Sequence, residues 1–268
     1  MTAVATESVS PAASNVEPTL RLRGVGRRFG GLEAVRDIDL EILPGERRAI
    51  LGPNGAGKTT LFNVIAGDLP ATSGTVELFG TDVTRLPSRQ RARLGLARTY
   101  QQARPLRGLS VGDSIYLAIL GVEGGHQRPF NLGRDRAMRE RAREAAAAVA
   151  IDGKLGELVG SLSHGEHRQV AIAMALAVKP RILMLDEPAS GLSRGERQLL
   201  SDLLLALDRS ITLLLIEHDM DVALRVAEKV TMMHDGRAIV EGTTDEIRSN
   251  ELVRELYLGA HMSVEPAR

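Results

Sequence analysis

Apolar residues in this chain fall into two kinds of run. Short blocks are apolar at nearly every position: Ala49-Ile50-Leu51, Ile182-Leu183-Met184-Leu185, and Ile211 to Ile216. A strand apolar on both faces belongs inside a parallel sheet covered by helices on either side. Between the blocks, apolar residues recur at helical spacing and predict those helices. They are Thr59 to Ala66 with Leu61, Phe62, Val64 and Ile65, then Val170 to Val178 stopped by Lys179-Pro180, and Leu199 to Leu207.

A different pattern precedes the first block. Leu20 to Val25 and Ile38 to Leu43 read as short strands, the second alternating Ile38, Leu40, Ile42 and closed by a Pro44-Gly45 turn. With Gly74 to Gly80 they predict an antiparallel sheet beside the parallel core, and Leu96 to Gln101 is a further strand returning to that core. Pro87 to Arg93 is basic and predicts an exposed helix or loop. Near the end, Val230 to Met233 and Arg237 to Val240 flank Asp235-Gly236, a hairpin signal, and Asp245 to Leu258 predicts a closing helix. Ala103 to Gly160 holds no convincing strand. Arg134 to Ala150, dense in Arg, Glu and Ala, predicts a helix whose charges form a solvated face. A helical subdomain is thus inserted at about residues 103–165 of a single domain spanning 19–259, with tails at 1–18 and 260–268.

Composition narrows the class. An apolar fraction of 43% over 268 residues is ample for one large α/β core. Lys plus Arg and Asp plus Glu both number 34, so no global field recruits nucleic acid or an anionic membrane. The absence of cysteine excludes disulfides, cysteine-ligated zinc and cysteine nucleophiles, and suits a reducing, cytoplasmic interior. Met1 to Pro18 lacks the basic start and apolar core of a secretory signal and reads as a disordered tail. No apolar run approaches the length that spans a bilayer, so work at a membrane requires other chains to supply the span.

Chemistry enters directly after the first apolar block. Gly52-Pro53-Asn54-Gly55-Ala56-Gly57-Lys58-Thr59-Thr60 matches the G-x-x-x-x-G-K-[ST] phosphate loop, in the strand–turn–helix context the motif needs. Backbone N–H groups must wrap a triphosphate closely, and Gly52, Gly55 and Gly57 remove the Cβ atoms that obstruct them. Lys58 brings a cation to the β- and γ-phosphates, and the Thr59 hydroxyl is placed to ligate Mg²⁺. At the end of the second block, Asp186 is placed to hold Mg²⁺, directly or through water. Its neighbour Glu187 points the other way and can address the attacking water. His218 follows the third block, where an imidazole can donate to the γ-phosphate or serve simply as a loop residue. Phe29, in a chain with four Phe, three Tyr and no Trp, can stack on adenine or pack as an ordinary core residue.

In order, the phosphate loop, Gln101 after a strand, Leu162-Ser163-His164-Gly165-Glu166, Leu183-Met184-Leu185-Asp186-Glu187-Pro188 and His218 resemble the ATP-binding cassette (ABC) ATPases across about Leu20 to Gly259. The Ser-x-Gly-Glu signature ahead of the Asp-Glu strand is close to unique to them. The resemblance implies a P-loop NTPase fold with a parallel sheet core, an antiparallel β subdomain and an inserted α-helical subdomain. It also implies that Phe29 stacks on adenine. Gln101 would link the Mg²⁺ and water shell to a membrane-subunit contact, while Glu187 and His218 act in hydrolysis. Ser163, Gly165 and Glu166 would close over the ATP of a second subunit, sandwiching two ATP molecules in a head-to-tail dimer. Arg98-Thr99-Tyr100-Gln101, Leu215-Ile216-Glu217-His218-Asp219-Met220 and Tyr257-Leu258-Gly259 are similar to the ATP-binding subunits of importers for branched-chain amino acids, urea and short amides.

That resemblance implies an ATPase peripheral on the inner face of the cell membrane. It would be joined to integral permease subunits and a second ATP-binding subunit, and indirectly to a solute-binding protein. An exporter or lipid-extraction subunit is an alternative. A soluble ABC ATPase acting on nucleic acid or ribosomes is another, against which the balanced charge and the lack of a nucleic-acid module argue. Two positions depart from the family. His164 replaces the usual signature glycine, and Ser193 stands where many members carry an aspartate that bridges the dimer.

Overall fold

Strand β3 (Arg47–Leu51) is buried at all five positions, as are β7 (Ile182–Asp186) and β8 (Thr212–Ile216). The structure is a computed structural model that describes residues 16–99, 107–123 and 132–253. Its six-stranded sheet runs β10 (Arg237–Thr243), β9 (Lys229–His234), β3, β8, β7, β6 (Leu96–Arg98), and every pairing is parallel except the β9–β10 hairpin. Strand pleat divides the side chains between two cores. Ala49, Leu51, Leu183, Leu185, Leu213 and Leu215 face one side. There they meet α3 (Val111–Glu123), α4 (Leu132–Ala147), α5 (His164–Ala177), α6 (Arg194–Ala206) and α7 (Met220–Val226). Ile50, Ile182, Met184, Leu214 and Ile216 face the other, against α1 (Lys58–Ala66) and a second sheet.

That second sheet is antiparallel, in the order β2 (Leu32–Ile42), β1 (Leu20–Phe29), β4 (Ser73–Leu78), β5 (Thr81–Asp82). The expected α/β class, with parallel core, antiparallel sheet and helical insertion, is therefore the observed one. The Asp-Gly hairpin also forms as read: Asp235 and Gly236 have φ of +46° and +79°, the double left-handed turn that joins twisted strands. It braces the phosphate loop, since Gly236 N–H donates to Ala56 O at 3.0 Å and accepts Arg36 N–H on its own carbonyl at 2.7 Å.

Several expectations are corrected. The first strand, read as Leu20 to Val25, is longer. β1 continues to Phe29 through register shifts that follow Leu22, Val25 and Arg27, so only Gly30-Gly31 forms the turn. Pro87 to Arg93 holds helix α2 (Ser88–Arg93), but Arg91 is buried, not exposed: its guanidinium donates to Val64 O, Ile65 O, Leu86 O and Thr84 O. The closing helix breaks at Asn250 into α8 (Thr244–Ser249) and α9 (Glu251–Val253), because Asn250 leaves helical geometry and its side chain accepts Val253 N–H. The charges of α4 do form a solvated face, with Arg139, Glu140, Arg143 and Glu144 exposed, while Met138, Ala142, Ala145 and Ala146 turn into the core. Residues 1–15 and 254–268, with most of both expected tails, lie outside the described residues.

Candidate functional site

Helix α1 begins at Gly57, which is left-handed with φ +95° and offers no side chain to cap the first turn; that turn also lacks an acidic residue. Its orphan N–H groups and positive dipole end are therefore left for an anion. The three loop glycines do different work. A Cβ on Gly52 would meet Met233 O at 2.3 Å, and one on Gly57 would meet Ala34 O at 2.2 Å, so these two admit protein backbone. Gly55, at φ +83°, faces open space, and it alone of the three fits the expectation that Cβ atoms are absent to admit phosphate. Asn54, Gly55 and Thr59 are exposed, Pro53, Gly57 and Thr60 are partly so, and Ala56 is buried. Lys58 is buried as well, its Nζ donating to Gly52 O at 2.6 Å and Pro53 O at 2.9 Å. Burial lowers its pKa, opposed by the charges of Glu187 and Asp186.

Those carboxylates arrive from β7, two strands away across the sheet. Asp186 Oδ2 accepts from Arg98 Nη2 at 2.8 Å, whereas Oδ1 is buried and accepts no hydrogen bond among the described residues. A buried acceptor with a free lone-pair face fits a divalent cation or its water, and carboxylate with hydroxyl oxygen is a donor set suited to Mg²⁺. Glu187 has φ +45°, uncommon for a side-chain-bearing residue, and its N–H donates to Ile216 O at 3.0 Å. That kink turns the chain off β7 and sets the carboxylate toward His218, whose Nδ1 is 3.9 Å from Glu187 Oε2. His218 is half exposed, ahead of the Asp219 cap of α7.

Ser163 caps α5. Its Oγ accepts Glu166 N–H, and the Glu166 carboxylate accepts Ser163 N–H, a capping box. Lys154 Nζ lies 2.8 Å from Glu166, and this ion pair, with the backbone bond from Ser163, pulls the carboxyl down to about 2. Gly165 packs close to Glu196, where a Cβ would come within 2.8 Å of Oε1. The departure at His164 has a local use, since its Nε2 lies 3.3 Å from Ser190 O in the loop after β7. Ser193 likewise caps α6 in a second capping box with Glu196. Among the described residues, Ser163 to Glu166 bond to Lys154, Ser190, His167 and one another, and not to the phosphate loop.

Phe29 is 42% exposed and so is not a core residue; the Arg27 guanidinium lies 4.5 Å from its ring centroid. Gln101 falls outside the described residues. A cleft of about 400 Å³ opens between α2, β6, α3 and α5, lined by Arg89, Ala92, Thr99, Gly121, Val122 and Met174 among others. Three charged residues at the site went unassigned in the sequence. Arg98 grips Asp186, and Glu217 Oε1, fully buried, accepts Ala189 N–H at 2.8 Å and anchors the loop after Glu187. Burial raises the Glu217 carboxyl pKa and lowers that of Arg168 from α5, which Glu217, Asp186 and Glu187 counter. The available signal was a charged residue at the end of an apolar strand, as at Arg98 and Glu217.

Among the described residues no helix is long and apolar enough to cross a membrane. The sequence profile of the ABC transporter family matches residues 35–190. The chain is 34% identical to the high-affinity branched-chain amino acid transport ATP-binding protein LivG of Escherichia coli (strain K12), over 91% of this chain and 98% of that protein. It is 33% identical to BraF of Pseudomonas aeruginosa, which has the same description, over 90% and 98%. Among solved structures it resembles an ATP-binding cassette of an ABC transporter in its ADP conformation, with TM-score 0.79, 28% identity, and coverage of 91% and 99%. The phosphate loop, the carboxylates at the end of β7 and this match over nine-tenths of the chain place it in the ABC transporter family, as an ATP-binding subunit with ATPase activity.

Proposed function

We propose that this chain drives an ABC importer for branched-chain amino acids or related amino acids, amides or urea, from the inner face of the membrane. The observation that carries this is the meeting of Lys58, Asp186, Glu187 and His218 at the C-terminal ends of β3, β7 and β8, in a chain that spans 98% of LivG. Ligands in open parallel sheets bind at that edge. In this reading Phe29 stacks on adenine, backbone N–H groups of the 52–60 loop other than those of Pro53 and Ala56, together with Lys58, hold the β- and γ-phosphates, and Glu187 takes the proton of the attacking water while His218 donates to the γ-phosphate. Thr59, Asp186 and Gln101 hold Mg²⁺, which when bound neutralises charge on the phosphate oxygens.

The site is completed in trans: Ser163, Gly165 and Glu166 of a second ATP-binding subunit cover the γ-phosphate, in a head-to-tail dimer. Permease subunits dock in the cleft beside α2, β6 and α3, so closure of the dimer by ATP and its reopening after hydrolysis shift them between two states. A solute-binding protein acts through the permeases. The test is to express the chain with candidate permeases and reconstitute the purified assembly in vesicles. Solute-loaded binding protein is expected to stimulate ATPase and drive uptake. Stimulation by an exported lipid or solute instead, or no association with membrane subunits, would overturn the importer reading. Replacing Lys58 with Ala is expected to abolish tight ATP binding, and unchanged affinity would remove the phosphate-loop role.

A further inference from the structure

We propose that Arg98 is a positioning residue for Asp186, tying this carboxylate to the helix that carries the phosphate loop. The inference rests on the reading of Asp186 as a Mg²⁺ ligand. Arg98 Nη2 donates to Asp186 Oδ2 at 2.8 Å, and the two side chains are 4% and 3% exposed. On its other side Nη1 reaches Asn63 Oδ1 at 2.7 Å, on α1, and Asp68 Oδ2 at 3.1 Å, just past the end of α1. The guanidinium carbon lies 5.8 Å from the centroid of the Phe62 ring, also on α1. One rigid fork therefore fixes the end of β7 against the phosphate-loop helix, a span that a single ammonium does not reproduce.

The way Asp186 is gripped points to a ligand. An arginine serving only as an internal ion pair commonly binds both carboxylate oxygens side by side. Here it binds one, and the second, Oδ1, is buried with no hydrogen-bond partner among the described residues, an arrangement that costs stability unless another group completes it. Two aspartates also share the one guanidinium, so neither receives its charge alone. Arg98 itself is no metal ligand. It turns the carboxylate so that Oδ1 stays directed away from the guanidinium, as outer-shell partners do for metal-binding side chains.

The test uses the full chain with R98Q and R98K. Three quantities are measured: ATP affinity in excess EDTA, Mn²⁺ binding to the chain–ATP complex by electron paramagnetic resonance, and the Mg²⁺ concentration for half-maximal turnover. R98Q is expected to leave metal-free ATP affinity within about threefold while weakening Mn²⁺ binding and raising the Mg²⁺ requirement by about tenfold or more. R98K, which keeps the charge but not the fork, is expected to fall between. Unchanged metal responses in R98Q, or tighter metal binding, would overturn the proposal, the latter by making Arg98 a competitor. If R98Q does not fold, R98K decides: wild-type metal responses in a folded R98K overturn it. The underlying reading fails separately, if D186N leaves Mn²⁺ binding and the Mg²⁺ requirement unchanged.

Discussion

The Glu187 carboxylate and the His218 imidazole face each other at 3.9 Å across the ends of the adjacent strands β7 and β8. At that separation they do not hydrogen-bond, so a water or a phosphate oxygen has room to join them. A base that takes the proton of the attacking water typically contributes 10²- to 10⁴-fold. E187Q is therefore expected to lower kcat by about a hundredfold or more while ATP still binds. If the site is shared between two subunits, the variant also accumulates an ATP-bound dimer, visible by light scattering. H218A is expected to lower kcat with little change in ATP affinity. Turnover near wild type in E187Q would remove Glu187 from the chemistry.

Arg91 holds the far end of the phosphate-loop helix. Its guanidinium satisfies the carbonyls of Val64 and Ile65 in the last turn of α1, both at 2.7 Å, together with Leu86 O and Thr84 O. Burial depresses its pKa to about 10, so it remains charged at neutral pH. R91M keeps the stem and removes the donor to Ile65 O, Leu86 O and Thr84 O, while Val64 O keeps the Gly67 N–H, at a cost of about 3 kcal/mol, since each buried unpaired group costs ~1–3 kcal/mol. For a domain of this size that is a fall in Tm of about 6–12 °C, measurable by calorimetry. A change under about 2 °C would mean that water replaces the guanidinium.

What could be read in advance followed local rules. β7 was legible because all of Ile182 to Leu185 is apolar, and the β9–β10 turn because Asp-Gly tolerates positive φ at both positions. The full length of β1 was not, because Gly24 at φ +57° and the register shifts break the alternation of side chains. Helix α3 is not legible although Val111, Ile115 and Ile119 are spaced by four, since glycines at 112 and 121 weaken its propensity. At the site, Lys58 and Asp186 follow from motifs, the first at the start of α1 and the second at the end of β7. Arg98 and Glu217 do not, because their partners lie 88 and 28 residues away and only the folded sheet brings them together.

Glu166 gives the signature helix a defined response to acid. Its carboxyl sits at about 2 against an ordinary 4.5, chiefly through Lys154 and next through Ser163 N–H. A depressed carboxyl stabilises the fold fully above its unfolded pKa and loses that contribution as pH falls toward the folded value. Wild type is thus expected to melt above E166Q near neutral pH, with the gap closing as pH drops from about 4.5 toward 2. The side chain is partly solvated, so the gap is modest and shrinks further in high salt. K154M is expected to remove much of the same difference. Parallel melting curves for wild type and E166Q across that window would show that the pair contributes nothing.

Two phosphate-loop glycines separate scaffold from ligand contact. Gly57 has φ +95°, and a methyl there would stand 2.2 Å from Ala34 O, a backbone atom that cannot rotate aside. G57A is therefore expected to displace the loop from β2 and the 235–236 turn, with a loss of several kcal/mol or failure to fold. A methyl on Gly55 would meet nothing within 4 Å, so G55A bears only the cost of a left-handed alanine at φ +83°, about 1–2 kcal/mol. The protein should fold, melting roughly 2–8 °C lower. Its added methyl instead occupies the open side of the loop, where phosphate oxygens must approach the amides. ATP binding by G55A, measured by calorimetry below its Tm, is expected to weaken at least tenfold, equivalent to about 1.4 kcal/mol. Wild-type affinity in G55A would mean that the nucleotide does not lie against this face, and a G57A protein melting like wild type would mean that the contact with Ala34 yields.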